Sequence, residues 1–248
     1  MDNNSRNLLL TLRYDGLSFH GWQYQPNCRT VEDELKKAIK RILGEEAKLQ
    51  SCSRTDAGVH ANMFCCNFRT DNQRPTDKII LGLNAVLPDD IAVYGCEEKE
   101  AGFHARYDCR GKEYIYKIWN AKQRNPFFNG YALHFSRELN EKRLDEIAKG
   151  FVGTYDFSSF CASGCAVKSM IRTIFDCSVR REGDMINFSV HGDGFLYNMV
   201  RIMVGTLLDI SDKKINEPLI RIIEAKDRNR AGVTAPACGL YLNQVFYE

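Results

Sequence analysis

A loop with a single carboxylate is the part of this sequence best suited to chemistry. The loop runs from Ser53 to Ala61 (SRTDAGVHA) and follows a short strand-like segment. A carboxylate on such a turn is held away from the sheet, where it can contact a ligand as a nucleophile or a base. Asp before Ala-Gly is also common in turns, where it bonds its own backbone. The loop alone therefore leaves both interpretations of Asp56 open.

A charge inside an apolar segment is the second candidate. The segment from Phe195 to Gly205 (FLYNMVRIMVG) carries one charged residue, Arg201, and is apolar on nearly every side of a helix. Such a helix is expected to be buried. An unpaired guanidinium is too costly to bury, so Arg201 is expected to have a carboxylate partner. That partner is either an acid of the core or an acid of a functional site.

Basic and aromatic residues are interleaved in the middle of the chain. Between Arg106 and Arg124 there are six basic residues and two acidic ones, a local charge of +4. Cations that neutralise phosphates, mixed with rings that stack on bases, are typical of an RNA surface. Strand alternation places Tyr114 and Tyr116 on one face. A solvated strand with ordinary aromatic packing is the alternative.

Metal binding is not predicted. His60 lies four residues after Asp56, but no third ligand follows at a metal-like spacing. Cys161 and Cys165 form a lone pair without a second pair to complete four ligands. The sequence therefore predicts neither a metal nor another cofactor, although a metal-assisted nucleotide hydrolase using Asp56 and His60 remains an alternative.

The bulk properties are those of a soluble globular enzyme. The chain has 248 residues, of which 44% are hydrophobic and 27% charged, and its net charge is +2. The apolar segment at residues 8–12 is too short for a signal peptide, and no segment approaches the length of a membrane span. The ten cysteines are then expected to be reduced thiols. These features predict a cytoplasmic protein with no membrane partner.

The hydrophobic periodicity predicts the same order of elements twice. Strand, helix, strand, strand, helix, strand is expected in each half, with a helix from Thr30 to Gly44 and a hairpin turn at 182–184. This order indicates an α+β fold of two ferredoxin-like (βαββαβ) halves that share a mixed, mostly antiparallel sheet, with a central catalytic cleft. The lobes are placed at residues 1–105 and 106–248, as one catalytic unit. The remaining predicted strands are 7–13, 47–52, 63–69, 91–94, 112–120, 172–181, 186–191 and 239–247, and the remaining helices are 76–87, 140–150, 195–209 and 216–225.

The loop at Asp56 resembles the catalytic loop of the tRNA pseudouridine synthase A (TruA) family. The family's loop reads Gly-Arg-Thr-Asp-Ala-Gly-Val-His, and seven of these eight residues are present, with Ser53 in place of the first glycine. The stretch that ends at Arg201 is similar to the family's Gly-x-x-Phe-x-x-x-Met-Val-Arg motif. The resemblance extends over essentially the whole chain, although Tyr24 stands where the family often has arginine.

The resemblance implies a role for each of four residues. Asp56 is the catalytic carboxylate, and Arg201 forms a salt bridge to it that keeps it ionised at neutral pH. Tyr114 stacks on the target uracil, and Arg54 assists extrusion of the target nucleotide. The resemblance also implies the pseudouridine synthase fold.

The activity that the resemblance implies is tRNA pseudouridine(38-40) synthase. Such an enzyme isomerises uridines of the anticodon stem-loop at positions 38, 39 and 40. It binds tRNA as a homodimer and uses no metal and no small-molecule cofactor. A catalytically silent RNA-binding protein of the same fold, or a synthase that acts on a different RNA, is the alternative.

Overall fold

A computed structural model gives the structure of the protein and describes residues 5–164 and 167–247. Cys165, half of the cysteine pair considered above, lies outside these residues. The chain forms two compact units. Unit 1 contains Met1–Arg110 and Leu242–Glu248, and unit 2 contains Gly111–Tyr241.

Unit 1 has the element order predicted for a ferredoxin-like half. Its strands are antiparallel in the order β4-β1-β3, and β2 pairs with β3. Leu8, Leu10 and Leu12 of β1 are fully buried, as their alternation predicts. Its elements are β1 (Arg6–Tyr14), α1 (Val31–Leu43), β2 (Gln50–Ser51), β3 (His60–Thr70), α2 (Thr76–Asn84) and β4 (Ile91–Lys99).

Local signals set the bounds of α1 as the sequence predicts. The Thr30 hydroxyl accepts a hydrogen bond from the Asp33 backbone N–H, and Gly44 ends the helix in the left-handed conformation at φ +78°. Val31, Leu35 and Ile39 lie on its buried face. The helix thus packs through an apolar stripe whose spacing is visible in the sequence.

Unit 2 is built around antiparallel strands in the order β5-β9-β8-β7, with the short β6 parallel to β5. The predicted turn between β8 and β9 is present, and Gly183 occupies the left-handed region at φ +60°. Its elements are β5 (Gly111–Trp119), β6 (Leu133–His134), α3 (Glu141–Ala148), β7 (Gly153–Asp156), β8 (Ile171–Glu182), β9 (Met185–Gly192), α4 (Met199–Ser211), α5 (Leu219–Ala225) and the start of β10 (Leu240–Phe246).

Several predicted boundaries are wrong. The helix expected to start at 195 starts at Met199, because Asn198 adopts a left-handed conformation with φ +60°. The strand expected at 47–52 is reduced to Gln50–Ser51. In contrast, β4 continues to Lys99, because its polar end still pairs with β1 at Asn7. The predicted α+β class, with mixed and mostly antiparallel strands, is confirmed.

The end of the chain packs with unit 1. The Tyr247 hydroxyl donates to the Ala105 carbonyl over 2.9 Å, and the Arg110 N–H donates to the Phe246 carbonyl over 2.8 Å. These contacts join residues more than a hundred positions apart. The lobe boundary predicted after residue 105, with the whole of β10 in the second lobe, therefore differs from the division into units 1 and 2.

A segment without regular structure, residues 232–235, lies against α4. A Cβ added to Gly205 would lie 1.8 Å from the Val233 carbonyl oxygen. Two of the hydrogen bonds that hold it there run from the Gly232 N–H to the Thr206 hydroxyl and from the Val233 N–H to the Asp209 carboxylate. Only glycine at position 205 allows this close approach.

Gly205→Ala is therefore expected to destabilise unit 2. The methyl group would collide with backbone that two hydrogen bonds fix, which should lower the free energy of unfolding by about 2–4 kcal/mol. Thermal and urea unfolding measure this change. Gly102→Ala is the matched control, because its Cβ would meet nothing within 4 Å. Equal stability of both variants would show that segment 232–235 moves away at no cost.

Candidate active site

The Asp56 loop connects β2 to β3 in unit 1 and is anchored on both sides of the carboxylate. Thr55 and Val59 are buried, whereas Asp56 is only half-buried. The Thr55 hydroxyl lies 2.7 Å from the Tyr14 hydroxyl, and the Thr55 carbonyl accepts a hydrogen bond from the Trp22 N–H over 3.1 Å. These buried neighbours fix the backbone that presents Asp56.

Two glycines allow the segment after β1 to pack directly on the loop backbone. A Cβ at Gly16 would lie 2.0 Å from the Val59 carbonyl oxygen, and one at Gly21 would lie 2.5 Å from the Thr55 carbonyl oxygen. Gly21 also has φ +87°, which favours glycine. Gly16 and Gly21 thus allow the segment after β1 to hold the Asp56 loop.

His60 belongs to the scaffold of this loop. Its side chain is 2% exposed, and its Nδ1 lies 3.1 Å from the Gly16 N and 3.1 Å from an Asp15 carboxylate oxygen. No group of three or more His, Cys, Asp or Glu residues placed to hold a metal ion occurs among residues 5–164 and 167–247. His60 therefore stabilises the turn at residues 15–16 through its Nδ1.

Arg54 belongs to the same loop, two residues before Asp56. Its side chain is exposed, and no ion pair joins it to another residue of the described chain. Ser53, at the position where the TruA family has glycine, is half-buried. An exposed guanidinium two residues from Asp56 has the reach and charge to contact a nucleic-acid ligand of that carboxylate.

Tyr114 and Tyr116 share a face of β5, as predicted, but their surroundings differ. Tyr116 is fully buried, and its hydroxyl donates to the Pro236 carbonyl over 2.7 Å. Burial raises the pKa of Tyr116 far above its usual value. The Tyr114 ring is 7% exposed and stands edge-on to Phe195, with ring centroids 5.1 Å apart. Tyr116 is thus a core residue, and Tyr114 lies beside the residues that lead into α4.

Arg201 lies in the first turn of α4. Most other residues of this helix are buried, as predicted. Its Nε donates to the Ala235 carbonyl over 2.7 Å, and its Nη1 donates to the Asn198 side-chain oxygen over 2.8 Å. The Ala235 N–H in turn donates to the Arg201 carbonyl. The guanidinium is therefore held in one orientation by two acceptors from its own unit.

Asn198 is a residue of this site that sequence reasoning missed. It immediately precedes α4 and adopts φ +60°, yet its side chain does not cap the helix. Its oxygen accepts the Arg201 hydrogen bond instead. Asn tolerates the left-handed region better than most residues, so the sequence signal was an Asn directly before an apolar helical run.

Asn198→Gly is expected to separate stability from activity. Glycine accepts φ +60° without strain, so the melting temperature should not fall, but Arg201 loses an acceptor and kcat should fall by about 10-fold. Asn198→Asp keeps an acceptor oxygen and is expected to recover part of that loss. Steady-state kinetics and thermal unfolding of both variants measure the difference. A melting temperature that falls in step with kcat would show a purely structural role.

Comparison with known proteins identifies the family. A family model described as tRNA pseudouridine synthase matches residues 11–108 and 147–248. The chain belongs to the tRNA pseudouridine synthase family. The Asp56 loop and Arg201 lie inside the matched segments, whereas Tyr114 lies between them. As a pseudouridine synthase, the protein is an isomerase.

Curated relatives agree over their whole length. The chain is 46% identical over 243 residues to tRNA pseudouridine synthase A of Thermoanaerobacter sp. (strain X514) and equally to that of Clostridium acetobutylicum, covering 98% of this chain and all of each relative. Among solved structures, a Cbf5-Nop10-Gar1 complex is similar at a TM-score of 0.40 and 14% identity. That match covers 81% of this chain, which spans about half (53%) of the matched chain.

The basic segment of this synthase is divided between the two units. Arg106, Tyr107 and Arg110 are exposed in unit 1, and Lys122 and Arg124 are exposed in unit 2. These five residues are accessible to a polyanion, as predicted.

Lys117 is an exception to the predicted phosphate-binding surface. Its ammonium group lies 4.1 Å from the centroid of the Tyr241 ring, and burial lowers its pKa. Lys117 is therefore part of the packing around Tyr241.

No helix among residues 5–164 and 167–247 combines the length and apolar character that crossing a membrane requires.

Proposed function

We propose that this enzyme converts uridine to pseudouridine in tRNA, at positions 38, 39 and 40 of the anticodon stem-loop. The observation that carries the proposal is the 46% identity, over their entire length, to proteins named tRNA pseudouridine synthase A. The local structure supports it, because a carboxylate on a rigidly anchored loop is the group that this isomerisation requires.

The proposed chemistry rests on Asp56. The C1′–N1 glycosidic bond of uridine breaks, the base rotates, and a C1′–C5 bond forms while the proton on C5 is lost and N1 gains one. Asp56 acts either by forming a covalent bond to the sugar or base, or by removing the 2′ proton to give a glycal. Because the same atoms leave and return, the reaction needs no redox cofactor and no external reactant.

Three side chains assist Asp56 in this proposal. Arg201, already oriented by Asn198 and Ala235, pairs with the Asp56 carboxylate and keeps it ionised. Tyr114 stacks on the extruded uracil, and Arg54 fills the space that the nucleotide leaves. Asp56 and Arg54 belong to unit 1, and Tyr114 and Arg201 to unit 2.

The proposed enzyme is a cytoplasmic homodimer that binds one tRNA across both protomers. A dimer presents two copies of the exposed basic residues, which would strengthen the attraction that a net charge of +2 alone gives to RNA. Sedimentation with and without tRNA measures the oligomeric state of the enzyme and how many tRNA molecules bind to it. A monomer that retains full activity would contradict it.

Tritium release from [5-³H]uridine tests the activity, because forming the C1′–C5 bond expels the C5 hydrogen. Unmodified tRNA transcripts with a uridine at position 38, 39 or 40 alone, and one with none at these positions, are incubated in monovalent salt with and without a chelator. Release only from the first three is expected. Release from the fourth transcript would indicate another target RNA site, RNA binding without any release would indicate a silent binder, and release abolished by the chelator would indicate a metal-assisted reaction.

A further inference from the structure

Unit 2 contains a cavity of about 500 Å³ beside the end of β5. Its walls come from Trp119, from the connection that follows β5, and from Cys238. This volume lies within the range of about 300–1,000 Å³ that small-molecule sites occupy. The lining includes Trp119, Arg124, Phe128, Asn129, His134 and Cys238.

Trp119 at one wall of the cavity lies away from Tyr114, although Cys238 at another wall is near enough to Arg201 for that charge to act on its thiol. Trp119 is five residues beyond Tyr114 on β5, about 17 Å at the usual rise of a strand, and the odd number of steps places it on the opposite face. Residues 119–134 also lie between the two segments that the family model matches. Cys238, in contrast, lies inside the second matched segment.

Ring surfaces and positive charge dominate the cavity walls. The Trp119 and Phe128 rings contact each other in a tilted arrangement, with centroids 5.1 Å apart. Arg124 is exposed, and no residue that the structure describes pairs with it. Among the described residues no Asp or Glu lines the cavity, and burial raises the pKa of the Cys238 thiol, which therefore adds no negative charge. These walls favour a flat ring carrying an anionic group over a cation or a metal ion.

The connection that forms the cavity is rigid before any ligand binds. The buried Asn120 amide donates to the carbonyls of Phe135 and Arg137 over 2.9 and 2.6 Å, and its oxygen accepts a hydrogen bond from Arg181. The Trp119 Nε1 also donates to the Gln123 carbonyl over 3.0 Å. A ligand would thus pay little ordering entropy on binding.

We propose that this cavity binds one unpaired nucleotide of the RNA substrate. The base stacks on the Trp119–Phe128 surface, with Asn129 and His134 at its edge, and Arg124 contacts its phosphate. Single-stranded nucleotides are recognised by this combination of aromatic stacking and a guanidinium. The proposal rests on the proposed function only in taking RNA as the substrate, and it adds a contact away from the modified uridine.

Tryptophan fluorescence gives a direct test on the whole protein. The chain has two tryptophans, and Trp22 is 2% exposed and stacked on Phe64, so quenching by a small ligand reports on Trp119. Uridine, cytidine, adenosine and guanosine monophosphates are titrated, with inorganic phosphate and ribose 5-phosphate as controls. Saturable quenching by at least one nucleotide, and by neither control, is expected. Trp119→Phe should abolish the signal.

Arg124→Ala, compared with Lys122→Ala, tests the assigned ligand contact. Both side chains are exposed and lie on the same connection, but only Arg124 lines the cavity. Arg124→Ala is expected to weaken nucleotide binding about 10-fold and to raise KM for tRNA more than Lys122→Ala does, whereas Lys122→Ala should leave nucleotide binding unchanged. No quenching at millimolar nucleotide, quenching by phosphate alone, or equal effects of the two variants would overturn the proposal.

The binding measurement is independent of the proposed activity. An enzyme that isomerises no anticodon uridine but binds nucleotides at Trp119 would refute the proposed function and leave the nucleotide site standing. An active enzyme without quenching would do the reverse.

Discussion

Asp56→Asn is expected to lower kcat for pseudouridine formation by at least about 10³-fold. The amide has the shape of the carboxylate but is neither a nucleophile nor a base at neutral pH. The Thr55 contacts with Tyr14 and Trp22, which anchor the loop beside Asp56, remain in this variant. The melting temperature and the affinity for tRNA should therefore change little. Tritium release at saturating tRNA, with filter binding and thermal unfolding, measures the three quantities.

Asp71→Asn is the matched control, since Asp71 is an exposed acid of the same unit. It should retain wild-type kcat. An Asp56→Asn enzyme that releases tritium at the wild-type rate would place the chemistry on another residue. Loss of tRNA binding along with kcat would show instead that Asp56 contributes to substrate binding.

Local sequence signals account for the parts of the fold that were predicted correctly. The Thr30 cap and Gly44 bound α1, and the Gly183 turn joins β8 to β9, because each is determined by residues within a few positions. The burial of α4 also followed from its composition alone. For the candidate site, the sequence suggested which residues to consider but showed nothing of the contacts that hold them in place.

The features that were missed depend on contacts between distant residues. The close approach of Gly16 to Val59, of Gly205 to Val233 and of Ala105 to Tyr247 has no signature in either partner's own neighbourhood. The short strands β6 and β7 were missed for another reason, because two and four residues are too few to show a hydrophobic period. The left-handed conformation of Asn198 makes α4 begin later than predicted. Its side chain accepts a hydrogen bond from Arg201, a contact that the sequence did not show.

Arg201→Lys and Arg201→Gln test the second half of the proposed site. Lys keeps the positive charge but cannot donate to the Ala235 carbonyl and the Asn198 oxygen from a planar fork, so kcat should fall by about 10²-fold. Gln loses the charge as well, and a larger fall is expected. Arg180→Lys, at an exposed position of the same unit, should be silent.

The pH dependence distinguishes loss of orientation from loss of charge. A neighbouring cation favours the ionised form of a carboxylate, so removing it allows the carboxylate to take up a proton at higher pH. If ionised Asp56 is the active form, Arg201→Gln should move the acid limb of the kcat/KM profile to higher pH, whereas Arg201→Lys should lower the whole profile with little displacement. An unmoved acid limb in the Gln variant would rule out the proposed pairing. Because Asp56→Asn tests the carboxylate by itself, that result would leave Asp56 as the catalytic group and restrict Arg201 to the packing of α4 against residues 232–235.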